Sequence, residues 1–135
     1  MRQIVITRHG GPDVLETREA ARPVPGPGQL RIATAAAGIN FADILIRQGL
    51  YPGGRQPPCV PGYEISGRVD VVGDGVDPRW IGRSVVALTD YDAYAEAHVL
   101  DAGRVLPAPD GLDPRLAAAL PLNYITAWVL LVVMG

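Results

Sequence analysis

Asn40 and Asp43 stand three residues apart in Asn40-Phe41-Ala42-Asp43, the spacing that stacks two side chains on one face of a helix. Two kinds of work fit that pair. One serves the helix itself, with Asn40 as an N-cap accepting from first-turn N–H groups and Asp43 as a carboxylate favoured by the dipole at that end. The other serves a ligand: a positioned group of suitable pKa can move a proton, and Asp43 with the phenol of Tyr51 or Tyr63 needs no cofactor for that. Tyr51, in the turn-rich run Gly49 to Gly54, reads equally as a cleft wall or as loop packing. Tyr63 opens an alternating stretch and reads as core, and its neighbour Glu64 as a structural acid held by a salt bridge or a backbone contact. Asn123 and Thr126 open the last helical stretch, where ordinary capping is the alternative to ligand contact. His9 and His98 have no Ser/Asp partner or metal constellation around them and read as surface or satisfied-core residues.

Other chemistries are excluded by counting. Cys59 is the one cysteine, so neither an internal disulfide nor a thiolate zinc cage is available. Its flanks, Pro57-Pro58 and Val60-Pro61, offer no cation to lower its pKa, and it is expected in the core. Gly73-Asp74-Gly75 superficially suggests a phosphate loop, but it follows a strand and leads into Val76-Asp77-Pro78 instead of a helix. With 12 Lys and Arg against 14 Asp and Glu and no basic stripe, nucleic acid is not an expected partner. The 48% hydrophobic fraction over 135 residues fits one soluble globular domain. The apolar run from Ala127 to Met134 is about two helical turns, short of the roughly 20 residues of a membrane span, and Met1 to Thr7 lacks the h-region of a secretory signal. A cytoplasmic location without membrane contact is therefore expected.

The elements that must position these residues are mostly strands. Pro and Gly, 13 and 16 residues, fall as punctuation between short apolar runs. Gln3 to Thr7 and Val14 to Glu19 read as paired strands, Arg22 to Gly28 as a rigid loop, and Gln29 to Ala37 as a strand whose alanines admit close packing. Asn40 to Gln48 reads as a short capped helix. Tyr63 to Val72 alternates as a long strand with Gly67 in its middle, where a bulge or a close backbone approach is the usual reason. Ser84 to Leu88 and Ala93 to Leu100 are two more strands. Asp113 then caps a helix over Arg115 to Leu120, Pro121 interrupts it, and a second helix runs from Asn123 to Met134.

Six segments, in order, resemble the N-terminal substrate-side domain of the medium-chain dehydrogenase/reductase superfamily: HGGPDVLE (His9 to Glu16), PGPGQLRI (Pro25 to Ile32), AAGINFADILIRQGLYP (Ala36 to Pro52), PPCVPGYEISGRV (Pro57 to Val69), AYAEAHVL (Ala93 to Leu100) and AALPLNYITAW (Ala118 to Trp128). The resemblance implies a mainly β fold with short helices, a GroES-like partly open β-barrel over residues 1–112, and a helical segment over 113–135 that leads in the family to a nucleotide-binding domain. The zinc alcohol dehydrogenases of the superfamily carry a Cys and a His-Glu pair where this chain has Asn40 and Tyr63-Glu64, and Asn with Tyr cannot complete a zinc ligand set. The chain is therefore similar to the zinc-independent quinone oxidoreductase, or zeta-crystallin, branch, and no metal is expected. One local departure is Gly82-Arg83-Ser84-Val85, which lacks the acid of the family's Gly-Asp-Arg-Val turn.

In that branch a hydride passes from NADPH to a quinone or an enone whose carbonyl is polarised by hydrogen bonds. The resemblance accordingly implies Asn40, Asp43, Tyr51 and Tyr63 as the catalytic group and directs the Asn40/Asp43 face toward nicotinamide and substrate. It implies Asn123 and Thr126 as contacts to the nicotinamide once a nucleotide domain is supplied, with no cofactor held by these residues alone. The expected ligand is a small apolar conjugated carbonyl or quinone, and the expected macromolecular partner is a second copy or another chain covering the apolar C-terminal helix. The alternatives are a stand-alone homodimeric domain that binds, cyclises or isomerises a conjugated carbonyl without redox chemistry, or a non-catalytic interaction module.

Overall fold

In the computed structural model, which describes residues 1–135, β1 (Arg2–Ile6) and β2 (Leu15–Glu19) form an antiparallel hairpin. The strands β3 (Gln29–Ala37), β4 (Glu64–Val72), β5 (Ser84–Leu88), β6 (Ala97–Asp101) and β7 (Val105–Pro107) form a curled antiparallel sheet in the order β6-β3-β4-β5-β7. Its inner face carries the core. Leu30 and Ile32 of β3, Ile65 and Val69 of β4, Val85 of β5 and Leu100 of β6 pack together there, the period of two that strands impose. Full burial of each such side chain stabilises by roughly 1.5–3 kcal/mol.

Gly67 interrupts the inner face of β4 for a local reason. A Cβ at that position would meet the Ala33 carbonyl and the Ile32 methyl, and the β3/β4 register slips beside it, between Thr34 and Ala36. Both a close approach and a register irregularity are therefore present at the mid-strand glycine.

A smaller core ties the hairpin to the helix α1 (Phe41–Gln48): Ile6, Val14, Ile46 and Cys59 are packed together. Backbone bonds reinforce it, with Ile6 N–H donating to the Cys59 carbonyl at 2.8 Å and Cys59 N–H returning to Ile6 at 3.1 Å. Cys59 does have a cation within electrostatic reach, the Arg55 guanidinium, and its thiol lies 3.8 Å from the Arg55 carbonyl. Burial nevertheless outweighs the guanidinium and pushes the thiol up, leaving it a packed, poorly ionised group.

The run from Ala93 to Leu100 is not one strand. Ala95 N–H bonds back to the Ala93 carbonyl at 2.9 Å, a tight turn that sends Ala93–Ala95 across to β1 through the Gln3/Ala95 bridge while Ala97 onward joins β3. The three-residue strand β7 is an element the sequence reading did not include.

The C-terminal stretch differs more. The Asp113 carboxylate accepts from Arg115 N–H at 2.8 Å and starts α2 (Pro114–Ala117), followed by a π-helical turn at Leu120–Tyr124, α3 (Ile125–Trp128) and a second π-helical stretch at Val129–Val133. Two helices broken at Pro121 were expected, but the chain forms one rod, Pro114–Val133. The proline is absorbed by widening the helix: Tyr124 N–H reaches the Ala119 carbonyl, five residues back, at 3.1 Å, as a π-turn permits. Ser66 Oγ donates to the Pro114 carbonyl at 2.5 Å and Ala117 and Ala118 are buried, so the first turns are seated on the sheet. The rod has 20 residues and a window of mean hydropathy 2.0, enough by length and composition to cross a membrane; the shorter apolar run read from the sequence understated it.

Candidate functional site

Both ends of α1 are fixed. At its C-terminal end Gly49 takes the left-handed conformation at φ 75°, the usual helix stop. There His9 Nδ1 lies 3.1 Å from the Ile46 carbonyl and Gly10 N–H donates to the Arg47 carbonyl at 2.9 Å. His9 thus finishes a helix. At the N-terminal end Asn40 is the N-cap, and Asp43 Oδ2 accepts its backbone N–H at 2.8 Å as half of a capping box.

Asp43 is buried and fully occupied. Besides Asn40 it accepts Gly62 N–H at 3.1 Å and the Tyr94 hydroxyl at 3.0 Å. Burial pushes its carboxyl above the usual range, and these three donors pull it partly back. Burial, joined by the neighbouring Asp43 carboxylate, likewise pushes the Tyr94 phenol upward. Gly62 is required at this crossing, because at φ 99° its missing Cβ would lie 2.5 Å from the Tyr94 ring.

Glu64, at the start of β4, is completely buried. Its Oε1 accepts from Asn40 Nδ2 at 3.1 Å and from Asn123 Nδ2 at 2.7 Å, and its Oε2 accepts Leu122 N–H at 2.8 Å. None of the three donors is a cation. A carboxylate out of water is costly unless its lone pairs are satisfied, and here the satisfaction comes from two different elements. Leu122 N–H is free to give because Pro121 and the π-turn have disturbed the helical ladder.

In front of Glu64 lies an open cleft of about 740 Å³. Asn40, Tyr51, Tyr63, Asn123 and Thr126 all line it, so five of the six residues singled out from the sequence converge on one place. Asp43 is the exception, lying behind Asn40 with its oxygens turned to Gly62 and Tyr94. The remaining wall is mainly apolar, with Phe41 from α1, Leu88 from β5, and Leu122 and Leu130 from the rod. Tyr63 packs at 5.1 Å against Tyr91, whose hydroxyl accepts Arg55 N–H at 2.9 Å. Burial and the Tyr91 phenol push Tyr63 upward, so it keeps its proton and can donate at neutral pH.

The charged pair in the lining, Asp90 and Arg104, was not foreseen. Arg104 pairs with Asp90 through two bonds of 2.9 and 3.0 Å at the rim of the cleft. Their juxtaposition depends on β7, and three residues are too few to show alternation. A second hollow of about 620 Å³ lies between the hairpin and β3, beside Ile4, Leu15, Ala36 and Ile39, but it holds none of the sequence-predicted site residues.

The cleft residues do not bring three His, Cys, Asp or Glu side chains together. Nor do they fit the pyrophosphate of a dinucleotide, which needs a Gly-rich turn opening a helix. Gly73-Asp74-Gly75 leads from β4 only to the single 3-10 turn Pro78–Trp80.

Comparison with known proteins places this geometry among relatives. The family model described as the alcohol dehydrogenase GroES-like domain matches residues 26–110. The human synaptic vesicle membrane protein VAT-1 homolog-like is 39% identical over 131 residues, 97% of this chain and 31% of its own length. The quinone oxidoreductase of Pseudomonas aeruginosa is 38% identical over 96% of this chain and 40% of its own. Among solved structures, the human VAT-1 homolog-like protein superposes with a TM-score of 0.91 at 38% identity, over 99% of this chain and 43% of that one. Escherichia coli quinone oxidoreductase complexed with NADPH superposes with a TM-score of 0.87 at 34% identity, over 98% and 40%. The chain thus spans between about a third and two fifths of the length of its curated relatives.

Proposed function

Since this chain belongs to the alcohol dehydrogenase GroES-like domain family, we propose that its cleft is the substrate-side half of a zinc-free, NADPH-dependent quinone or enone reductase. The observation that carries the reading is the convergence of Asn40, Tyr51, Tyr63, Asn123 and Thr126 on one mostly apolar cleft. A flat conjugated carbonyl suits such walls, and hydrogen-bond donors such as the Tyr63 hydroxyl can stabilise the negative charge that grows on its oxygen. The relatives named quinone oxidoreductase, one of them complexed with NADPH, support the substrate class and the hydride donor. NADPH would supply the hydride from a nucleotide-binding unit outside these 135 residues, with Asn123 and Thr126 meeting its nicotinamide end. Cofactor-free acid/base chemistry on Asp43 has less support, because that carboxylate is spent on three structural donors and does not line the cleft.

The test is a pair of titrations of this chain followed by intrinsic fluorescence. Duroquinone, whose ring is fully substituted and cannot add the Cys59 thiol, is expected to bind saturably. Ala127→Trp, which fills the cleft from the exposed side of the rod, is expected to weaken that binding at least about tenfold. NADPH alone is expected not to bind. Saturable quinone binding that ignores Ala127→Trp sinks the cleft assignment, and stoichiometric NADPH binding sinks the placement of the cofactor.

A further inference from the structure

Glu64 touches no part of the cleft surface, yet it holds two of the residues that do. Asn40 approaches it from the N-cap of α1 and Asn123 from the rod, and each gives an N–H to the same oxygen, Oε1. A carboxylate oxygen can only accept. Each amide must therefore turn its NH₂ edge to Glu64; Asn40 gives its carbonyl oxygen to the capping box, whereas Asn123 keeps its carbonyl oxygen and one N–H for a ligand. We infer that Glu64 is a positioning residue that fixes the orientation of both amides, and thereby gives the cleft a hydrogen-bond acceptor, the Asn123 carbonyl oxygen, with which to recognise a ligand bearing O–H donors, the hydroquinone or enol side of the reaction. The inference rests on reading the cleft as a quinone or enone site.

The third donor makes it testable with a conservative change. Leu122 N–H is a backbone group that must keep an acceptor on its side of residue 64. In Glu64→Gln the amide oxygen therefore takes the place of Oε2, and the NH₂ takes the place of Oε1, facing Asn40 and Asn123. Its two N–H groups can satisfy both asparagines only if each amide flips and presents its oxygen. The flip withdraws the Asn40 oxygen from the capping box, one exchange at a helix N-cap, while the other buried partners remain paired, so the variant is expected to fold. Turned about, Asn123 points its carbonyl oxygen at residue 64 instead of the ligand and gains one N–H in its place.

The experiment compares duroquinone and durohydroquinone, titrated anaerobically into the wild-type chain and into Glu64→Gln. The expected result is a shift of the hydroquinone-to-quinone affinity ratio toward the quinone by at least about tenfold. A purely structural Glu64 lowers stability or weakens both ligands alike, and an unchanged ratio overturns the inference. A second measurement needs no variant: in the wild type, the side-chain NH₂ protons of Asn123 should show an NOE to the γ protons of Glu64, and its absence overturns the assigned orientation. If neither ligand binds the wild type, the cleft reading fails and the discrimination fails with it, while the NOE still decides the orientation of the amides.

Discussion

His98 lies half-buried on β6, and burial holds its imidazole below the ordinary histidine range despite the nearby Asp92 and Asp90; Arg104 adds to the depression. The sign of the consequence follows from which state binds the proton. With a lowered folded pKa, the unfolded chain takes up a proton first, so the native state is at full strength above about pH 6.5 and loses stability as pH falls toward the depressed value. Denaturant titrations at pH 7.5, 6.5 and 5.5 should show that loss in the wild type and a flatter profile in His98→Gln; equal slopes count against a buried neutral imidazole. At this scale the sequence reveals residue types and local spacing but not distant partners. Asn40 and Asp43 could be seen to share a helix end. That Asp43 would be consumed by Gly62 and Tyr94, 19 and 51 residues away, depends on tertiary packing alone. Glu64 could be given a backbone contact from its position, whereas its link to Asn123, 59 residues on, could not.

Elements were legible wherever a period ran long enough. β3 spans the residues expected of it, β4 begins one residue later than expected, and α1 starts at its cap and stops at a left-handed glycine. Failures came where tertiary contacts override pattern. Ala93–Ala95 leaves the run that looked like one strand to pair with β1, β7 is too short to show alternation, and Pro121 is accommodated by a π-turn instead of ending a helix. Gly67 tests the logic of the sheet. An added methyl there collides with the Ala33 carbonyl, a backbone atom fixed by the ladder, and with the Ile32 side chain, and Thr34 Oγ1, already buried without a partner, sits across from it. Gly67→Ala should therefore destabilise by about 3 kcal/mol, the upper range for overpacking a core, read as a lower denaturation midpoint with an unchanged m-value. The same change at Gly75, whose positive φ lies in open solvent, should cost less, about 1 kcal/mol. Equal losses at the two sites mean that β3 and β4 do not approach closely at Gly67.

The cleft is assembled from three parts of the molecule: α1, the sheet ends around Tyr63 and Leu88, and the C-terminal rod. Glu64 joins the first and the last, so the rod is part of the site architecture and not an appendage. Its outer surface is nonetheless apolar, with Trp128 57%, Leu131 78% and Val133 61% exposed. Such a surface can be covered by a bilayer, by further protein or by another copy, and the rod meets the length of a span. Insertion, however, has to pull Leu122 and Asn123 away from Glu64, leaving a buried carboxylate without two of its three donors, at a cost of several kcal/mol. Covering the outer surface while the inner contacts stay in place avoids that penalty, and each large side chain covered contributes roughly 1.5–3 kcal/mol. The 135-residue chain in solution is therefore expected to self-associate through the rod. Sedimentation velocity should show a concentration-dependent dimer that Leu131→Glu shifts to monomer, with the Asn123–Glu64 NOE unchanged. A wild type that stays monomeric at high micromolar concentration, or that floats with liposomes and loses the NOE, assigns the surface to something other than a second copy.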